Sequence, residues 1–323
     1  MIISRTPFRI SLFGGSTDYE SFYKTHGSCV LGFAIDKYCY LCVRKTPTIF
    51  DYKTKLGYSS IEIVNNHDEI KHDGMRGVLQ FLDIEYGIDI SHLSDIPAKT
   101  GMGSSSAFVV GLLNALHSIQ GQKCSNNDLA RQAIYVERKL LNESGGIQDQ
   151  IWSAYGGFNR IDINKDGCFE VKPLPISNSF IDRFLQRSVV IYTGNDRNSF
   201  EIAKSYTNDR AEEYQKKIAS ITNEAYRQFE KQDITSLGEL LDLSWSYKRN
   251  ISNLISNNKL DNLYEELKED GVIGAKLLGA GGSGFMFGIL QEGIDQKTFK
   301  QKYKNRYIDV DVDKKGSMII NEH

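Results

Sequence analysis

The sequence predicts a protein of mixed helices and strands arranged in two units, residues 1–185 and 186–323. Three observations carry that expectation. Strand-like runs rich in β-branched and aromatic residues alternate with helices through the first half. The pattern changes near Ser188, where the short apolar strand Val189–Tyr192 is followed by long helical stretches. The chain has 323 residues, enough for one large domain or two ordinary ones.

Residues 2–12 read as a strand entering a Gly14-Gly15 turn. Alternation places Phe8, Ile10 and Leu12 on one face and Arg9, Ser11 and Phe13 on the other. Cys29–Arg44 and Ser59–Val64 read as strands, Glu69–Tyr86 as a helix, and Ile96 as the close of a further strand. Helices are expected over 104–120 and about 127–142. The second is capped by the Ser-Asn-Asn-Asp run before Leu129 and stopped by Gly145-Gly146. Phe158–Ile163 and Phe169–Leu174 are strand-like. The second unit reads as helices at 199–231, 235–257, 260–269 and 294–303, with strands at 272–278, 285–290 and Tyr307–Val312.

Composition narrows the classes of function. The chain is 40% hydrophobic and 25% charged, with a net charge of -2, so a nucleic-acid or polyanionic-surface partner is not expected. Met1–Arg5 lacks the apolar core of a signal peptide, and no apolar run approaches a membrane span. Five cysteines, an odd number, point to a reducing cytoplasm rather than a disulfide framework. The lone Cys39/Cys42 pair lies in an apolar β-rich run and reads as buried strand cysteine.

Chemistry concentrates in Pro97–Ala107, where Gly101 and Gly103 precede Ser104, Ser105 and Ser106 and an apolar helix. Glycines let the backbone approach an anion, and a helix start presents unpaired N–H groups and a positive dipole end. The loop is not a Walker A motif, because no lysine stands before Ser104. It is a poor dinucleotide fingerprint, because Ser106 replaces the third glycine. A plain serine helix cap is the structural alternative.

Glu137 shares a helix face with Ala133, Ile134, Leu140 and Leu141. A carboxylate there needs a partner, either an arginine or a divalent metal. Asp149, just past Gly145-Gly146, suits a helix start or the rim of a cleft. Arg9 is either solvated on an edge strand or directed into the serine-loop cleft, with Ser16, Thr17 and Asp18 gripping a hydroxyl-rich ligand. The glycine-dense segment Leu278–Phe285 suggests a close backbone approach to another loop or ligand.

Together, PFRISLFGGSTD (7–18), PAKTGMGSSSA (97–107) and KLLGAGGSGF (276–285) resemble, in order, the three signatures of the GHMP kinase superfamily. That superfamily includes galactokinase, homoserine kinase and mevalonate kinase. The Gly-Gly-Ser-Thr-Asp-Tyr turn, Gln148-Asp149-Gln150 and Ala154–Phe158 look most like its sugar-1-kinase branch, which contains heptose 7-phosphate kinases. Galactokinases carry Gly-Glu-His where this chain has Gly15 and Ser16, which counts against galactose.

The resemblance implies an α+β architecture, with an N-terminal domain like ribosomal protein S5 and a ferredoxin-like C-terminal domain. It implies ATP and Mg²⁺ as cofactors and a small sugar phosphate as partner. Lys99, Thr100, Gly101, Met102, Gly103, Ser104, Ser105 and Ser106 would bind the ATP phosphates. Ser105 and Glu137 would hold the metal. Asp149 would face the acceptor hydroxyl with Arg9 beside it. Gly14, Gly15, Ser16, Thr17, Asp18, Gln148, Tyr155, Gly281, Gly282 and Arg197 would contact the substrate. Lys99, Arg160 and Arg197 are candidates for a sugar phosphate group. The rival readings are a kinase for fucose or another alcohol, and a sensor that binds ATP and sugar without turnover.

Overall fold

In a computed structural model, residues 1–194, 202, 206 and 209–322 are described. An eight-stranded sheet is built from β1 (Ile2–Phe13), β2 (Ser28–Lys45), β3 (Thr54–Gly57), β4 (Ile61–Val64), β5 (Ile88–Ser94), β6 (Phe158–Ile163), β7 (Phe169–Pro173) and β11 (Met318–Glu322). Its order is β11-β1-β2-β5-β3-β4, with β6 also pairing β2 and β7 pairing β6. Among the described residues only the β3–β5 pairing is parallel. A second sheet, β8 (Ser188–Gly194), β9 (Val272–Leu277) and β10 (Gly284–Leu290), has the order β8-β10-β9.

The helices are α1 (Glu20–His26), α2 (Asp73–Phe81), α3 (Ser104–Ile119), α4 (Asn126–Tyr135), α5 (Gln148–Tyr155), α6 (Asn178–Gln186), α7 (Asp209–Lys231), α8 (Ile234–Ile251), α9 (Asn258–Glu269) and α10 (Gln296–Lys302). Helices α3 and α5 pack on β1, and α7 and α8 also reach it. Both faces of β1 are therefore covered: Phe8, Ile10 and Leu12 are buried, and so are Arg9 and Ser11. With β11 on one side and β2 on the other, β1 is no edge strand, and Arg9 is not solvated. Lining a buried strand with Ser4, Thr6, Arg9 and Ser11 is costly unless those groups have partners or a ligand.

Helix α4 begins with the Ser125 hydroxyl accepting the Asp128 N–H, a serine N-cap. The helix does not run regularly to 142. Residues Val136–Leu140 form a π-turn, which rotates the following side chains away from an ideal 3.6-residue stripe. Glu137 stays buried, whereas Leu140 is exposed. The single face expected from Ala133 to Leu141 is thus broken at its last turn.

The expected strand at 307–312 is also replaced. Ile308 N donates to Val190 O beside the second sheet, and Asp313 N donates to Ala34 O in the first. One straight strand cannot pair with both sheets, so the segment makes only isolated bridges, Tyr307 to Ile191 and Val312 to Ile35. Within the described residues, no helix is long and apolar enough to cross a membrane.

Candidate active site

A cavity of about 630 Å³ opens between the two sheets' loop ends. One wall is the segment 99–106 with the start of α3. A second is the turn after β1. A third is the loop 141–146 with the start of α5, and the last comes from Lys248, Lys276, Gly279 and Ala280.

The α3 wall presents an unaltered helix start. Gly103 caps it in the left-handed region at φ 78°, with no side chain accepting the first N–H groups, and its first turn holds no acid. Ser104, Ser105 and Ser106 all line the cavity, as do Lys99, Gly101 and Gly103. Exposed N–H groups and a positive dipole end suit a polyphosphate. Thr100 and Met102 do not line it. The Thr100 hydroxyl donates to Pro97 O at 2.8 Å, and the Met102 side chain is buried in the core. Both serve the loop's shape, and Met102 O accepts the Arg9 backbone N–H at 3.1 Å.

Arg9 lashes this loop to the acid. Its Nε and Nη2 donate to the two oxygens of Asp149, each at 2.8 Å, and its Nη1 donates to Gly101 O at 2.6 Å. The bidentate fork fixes the plane of the Asp149 carboxylate. Asp149 remains a quarter exposed and faces the cavity.

Glu137 is wired differently. Its Oε2 accepts from the Ser106 hydroxyl at 3.0 Å, from Arg138 Nη2 at 3.2 Å, and from Gln150 Nε2. Its Oε1 is buried with no hydrogen-bond partner. Burial pushes the carboxyl up to about 7 against the pull of Arg138. An orphaned carboxylate oxygen beside serines on a phosphate-type loop fits Mg²⁺, which commonly takes one or two carboxylates and completes its shell with phosphates and water. The hydroxyl that reaches Glu137 belongs to Ser106. Ser105, one helical residue away, is exposed on the cavity wall. Among the described residues no group of three or more His, Cys, Asp or Glu could hold a metal alone.

The turn after β1 is held tightly. Asp18 is fully buried, its Oδ1 accepting from Ser16 N at 3.1 Å and its Oδ2 from Gln148 N at 3.2 Å. Burial, followed by the charge of Asp149, pushes Asp18 up to about 6. Gly146 packs directly on this carboxylate: a Cβ there would lie 1.7 Å from Asp18 Oδ2. Ser16 has φ 83°, unusual for a residue with a side chain, and Gln215 Nε2 on α7 donates to its carbonyl at 2.8 Å. Ser11 Oγ, Ser16 Oγ and Gln148 Oε1 are buried at or beside the cavity without hydrogen-bond partners. Unpaired buried polar atoms around a cavity are what a hydroxyl-rich ligand would satisfy.

Several expected contacts lie elsewhere. Gly14 is packed against the Cys29 carbonyl, and the Thr17 hydroxyl donates to Gly14 O at 2.7 Å, so both shape the turn from behind. The Tyr155 ring packs edge-on against Phe169 rather than into the cavity. Gly281 and Gly282 back onto Ile255, and it is Gly279 and Ala280 that reach the cavity. Gly284 seats the segment against the phosphate-type loop, since a Cβ there would lie 2.2 Å from Thr100 O. Arg197 lies outside the described residues. Arg160 lines a second cavity with Cys29 and Lys172.

Sequence reasoning missed Arg138, Gln150, Lys248 and Lys276 as groups of this site. The one available signal was Lys276, a lone charge in the apolar run VIGAKLL.

The GHMP kinases N-terminal domain matches residues 73–157, and the GHMP kinases C-terminal domain matches residues 225–309. Together these cover 170 of 323 residues. The chain belongs to the GHMP kinases. As a GHMP kinase it is an ATP-dependent phosphotransferase of two-domain, mixed helix-and-sheet architecture.

It is 29% identical over 299 residues to a D-glycero-alpha-D-manno-heptose 7-phosphate kinase of Campylobacter jejuni, 88% of each chain. It is 30% identical over 224 residues to a mevalonate kinase of Pyrococcus horikoshii, 65% of this chain and 62% of that one. Among solved structures, a D-glycero-D-manno-heptose 1-phosphate kinase of Bacteroides thetaiotaomicron superposes over all of both chains with a TM-score of 0.82 at 20% identity. A galactokinase of Lactococcus lactis bound to galactose gives 0.71 at 17%, covering 98% of this chain and 94% of that one.

Proposed function

We propose that this GHMP kinase transfers the ATP γ-phosphoryl group to the anomeric (C1) hydroxyl of D-glycero-D-manno-heptose 7-phosphate, giving the 1,7-bisphosphate. The observation that carries the reading is the Arg9 fork, which joins Asp149 to Gly101 of the phosphate-type loop across one cavity. The heptose phosphate is supported by the relative that matches 88% of the chain, and by the unpaired polar atoms of Ser11, Ser16 and Gln148. Residues 1–185 are read as the nucleotide-binding domain and 186–323 as its partner, with β11 returning from the partner to pair β1.

Phosphoryl transfer depends on positioning and charge stabilisation more than on covalent chemistry. The N–H groups of Ser104–Ser106 hold the ATP phosphates. Glu137, whose Oε1 is unpaired, would hold the metal with the Ser105 hydroxyl on the same wall, while Ser106 orients the carboxylate. When bound, Mg²⁺ supplies charge neutralisation for the phosphates. Asp149, held flat by Arg9, orients the C1 hydroxyl and accepts its proton as the new O–P bond forms. The γ-phosphorus to bridging-oxygen bond breaks and ADP leaves.

The test is ATP-dependent phosphorylation across sugars and sugar phosphates, with NMR location of the new phosphate. The reading requires a C1 phosphate on heptose 7-phosphate. Equal turnover of unphosphorylated heptose rejects the heptose-phosphate acceptor. ATP binding with no ADP release under any acceptor favours the sensor reading.

A further inference from the structure

Among the described side chains of helix α7, three polar ones are buried, and one of them is bonded unlike the others. The Thr222 hydroxyl donates to Ile218 O, and Gln228 Nε2 donates to Glu224, both within the helix. Gln215, only 2% exposed, reaches out of the helix instead. Its Nε2 donates to Ser16 O at 2.8 Å, on the turn after β1, and more weakly to Tyr206 O at 3.4 Å. The carbonyl it reaches belongs to a constrained residue. Ser16 has φ 83°, a conformation that persists in a residue with a side chain only where the surroundings hold it. Two groups hold it here. Asp18 Oδ1 accepts the Ser16 N–H at 3.1 Å, and Gln215 grips the Ser16 carbonyl. Between these two bonds the Ser16 hydroxyl is buried without a hydrogen-bond partner, on a residue of the cavity wall.

A buried, unpaired hydroxyl beside a cavity is satisfied only by what enters the cavity. The backbone conformation of a serine limits the rotamers its hydroxyl can take, so bonds that fix the backbone also fix where the hydroxyl points. We propose that Gln215 is a positioning residue for the acceptor: its amide holds Ser16 in the left-handed conformation and so aims the Ser16 hydroxyl at an acceptor hydroxyl. The second half of the chain thereby sets acceptor affinity through one hydrogen bond to the first. The inference rests on the acceptor reading above, in which the turn after β1 meets the sugar. The ATP phosphates are read at the start of α3, on another wall, so the effect belongs to the acceptor alone.

The experiment measures KM for heptose 7-phosphate, KM for ATP and the melting temperature in wild type, Gln215→Met, Ser16→Ala and the double variant. Loss of one hydrogen bond predicts that each single variant raises acceptor KM about 3- to 10-fold and leaves KM for ATP within about twofold. Because Gln215 acts through Ser16, the double variant should be no worse than the more affected single variant. If Gln215→Met does not fold, Gln215→Glu, which keeps the shape and loses the donor, decides by the same comparison. Losses that multiply in the double variant, or an acceptor KM that Ser16→Ala leaves unchanged, overturn the inference. A lowered melting temperature with both KM values unchanged makes Gln215 a structural contact only and overturns it too, as does a rise in both KM values. In each of these cases, turnover of heptose 7-phosphate by the wild type leaves the acceptor reading standing. A wild type that does not phosphorylate heptose 7-phosphate rejects that reading, and this inference with it.

Discussion

Two carboxylates on the cavity wall, Asp149 and Glu137, are wired in opposite ways. Asp149 spends both oxygens on one guanidinium and stays partly open to solvent. Glu137 is buried, crowds three donors onto one oxygen and leaves the other with none. A bidentate arginine fixes orientation, which a group meeting a substrate hydroxyl needs. An orphan oxygen on a buried carboxylate is a vacancy for a cation, which a group meeting charged phosphates needs. On the proposed reading, the hydrogen bonding of these two groups is what separates an acceptor end of the cavity from a donor end.

The sharpest way to break this contrast is Asp149→Asn. The amide keeps the shape, loses the charge opposite Arg9 and cannot take a proton. If Asp149 is the proton acceptor, kcat falls by about 10²- to 10⁴-fold. Nucleotide affinity should change by no more than a few fold, because the α3 start is untouched. Steady-state kinetics with a fluorescent-nucleotide titration checks both. A kcat near that of wild type leaves Asp149 an orienting group only.

Glu137→Gln tests the other carboxylate, with the expected effect in the metal requirement. The Mg²⁺ concentration for half-maximal activity should rise about tenfold or more, as a charged ligand is replaced by a neutral one. Arg138 then loses its acidic partner, so some stability is lost as well. A changed melting temperature with an unshifted Mg²⁺ titration would assign Glu137 to a structural pair with Arg138.

A third carboxylate, Asp18, sets apart the acceptor turn in its pH behaviour. Its folded pKa of about 6 lies above the ordinary aspartate value of 3.8. Between those values the native state holds the proton that the unfolded chain has released. Stability from this group is therefore present below about pH 4 and lost as pH rises through 6. The full swing is about 3 kcal/mol at most. Denaturant melts from pH 4 to 7 should show Asp18→Asn losing this decline relative to wild type. Parallel curves for the two proteins would mean that the turn does not carry the burial cost.

The two ends also differ in how far the sequence exposes them. The donor end is contiguous: residues 99–106 lie in one loop and helix start, so glycine and serine spacing reveals it. Strands β1 and β2 are legible for a similar reason, since their apolar content is local. The acceptor end is assembled from β1, the 14–19 turn, α5, α7, α8 and β9. No local pattern tells that Gln215 holds Ser16, or that Gly146 seats on Asp18. The same limit applies to β11, whose strand character depends on pairing β1 from the far end of the chain. Glu137 was legible as a buried acid from its apolar neighbours, but the π-turn that rotates Leu140 out was not. The choice between Ser105 and Ser106 also escaped, because adjacent helical residues diverge by about 100° and only the packed helix decides which one faces Glu137.

Arg160 supplies the smallest expected effect and a sharp control on the acceptor end. It lies near the Ala154–Phe158 signature in sequence, which makes it a candidate for the sugar phosphate. In the structure its Nε donates to Asp162 at 2.8 Å and its guanidinium stacks 4.6 Å from the centre of the Tyr226 ring. Those contacts are on the second cavity, beside Cys29 and Lys172, and not among the groups lining the first. A part-exposed ion pair and cation–π contact are together worth about 1 kcal/mol. Arg160→Ala should therefore lower the melting temperature slightly and leave the acceptor KM within about twofold, since a lost phosphate contact would cost about tenfold or more. A tenfold rise in acceptor KM, with KM for ATP unchanged, would move the sugar phosphate to the second cavity.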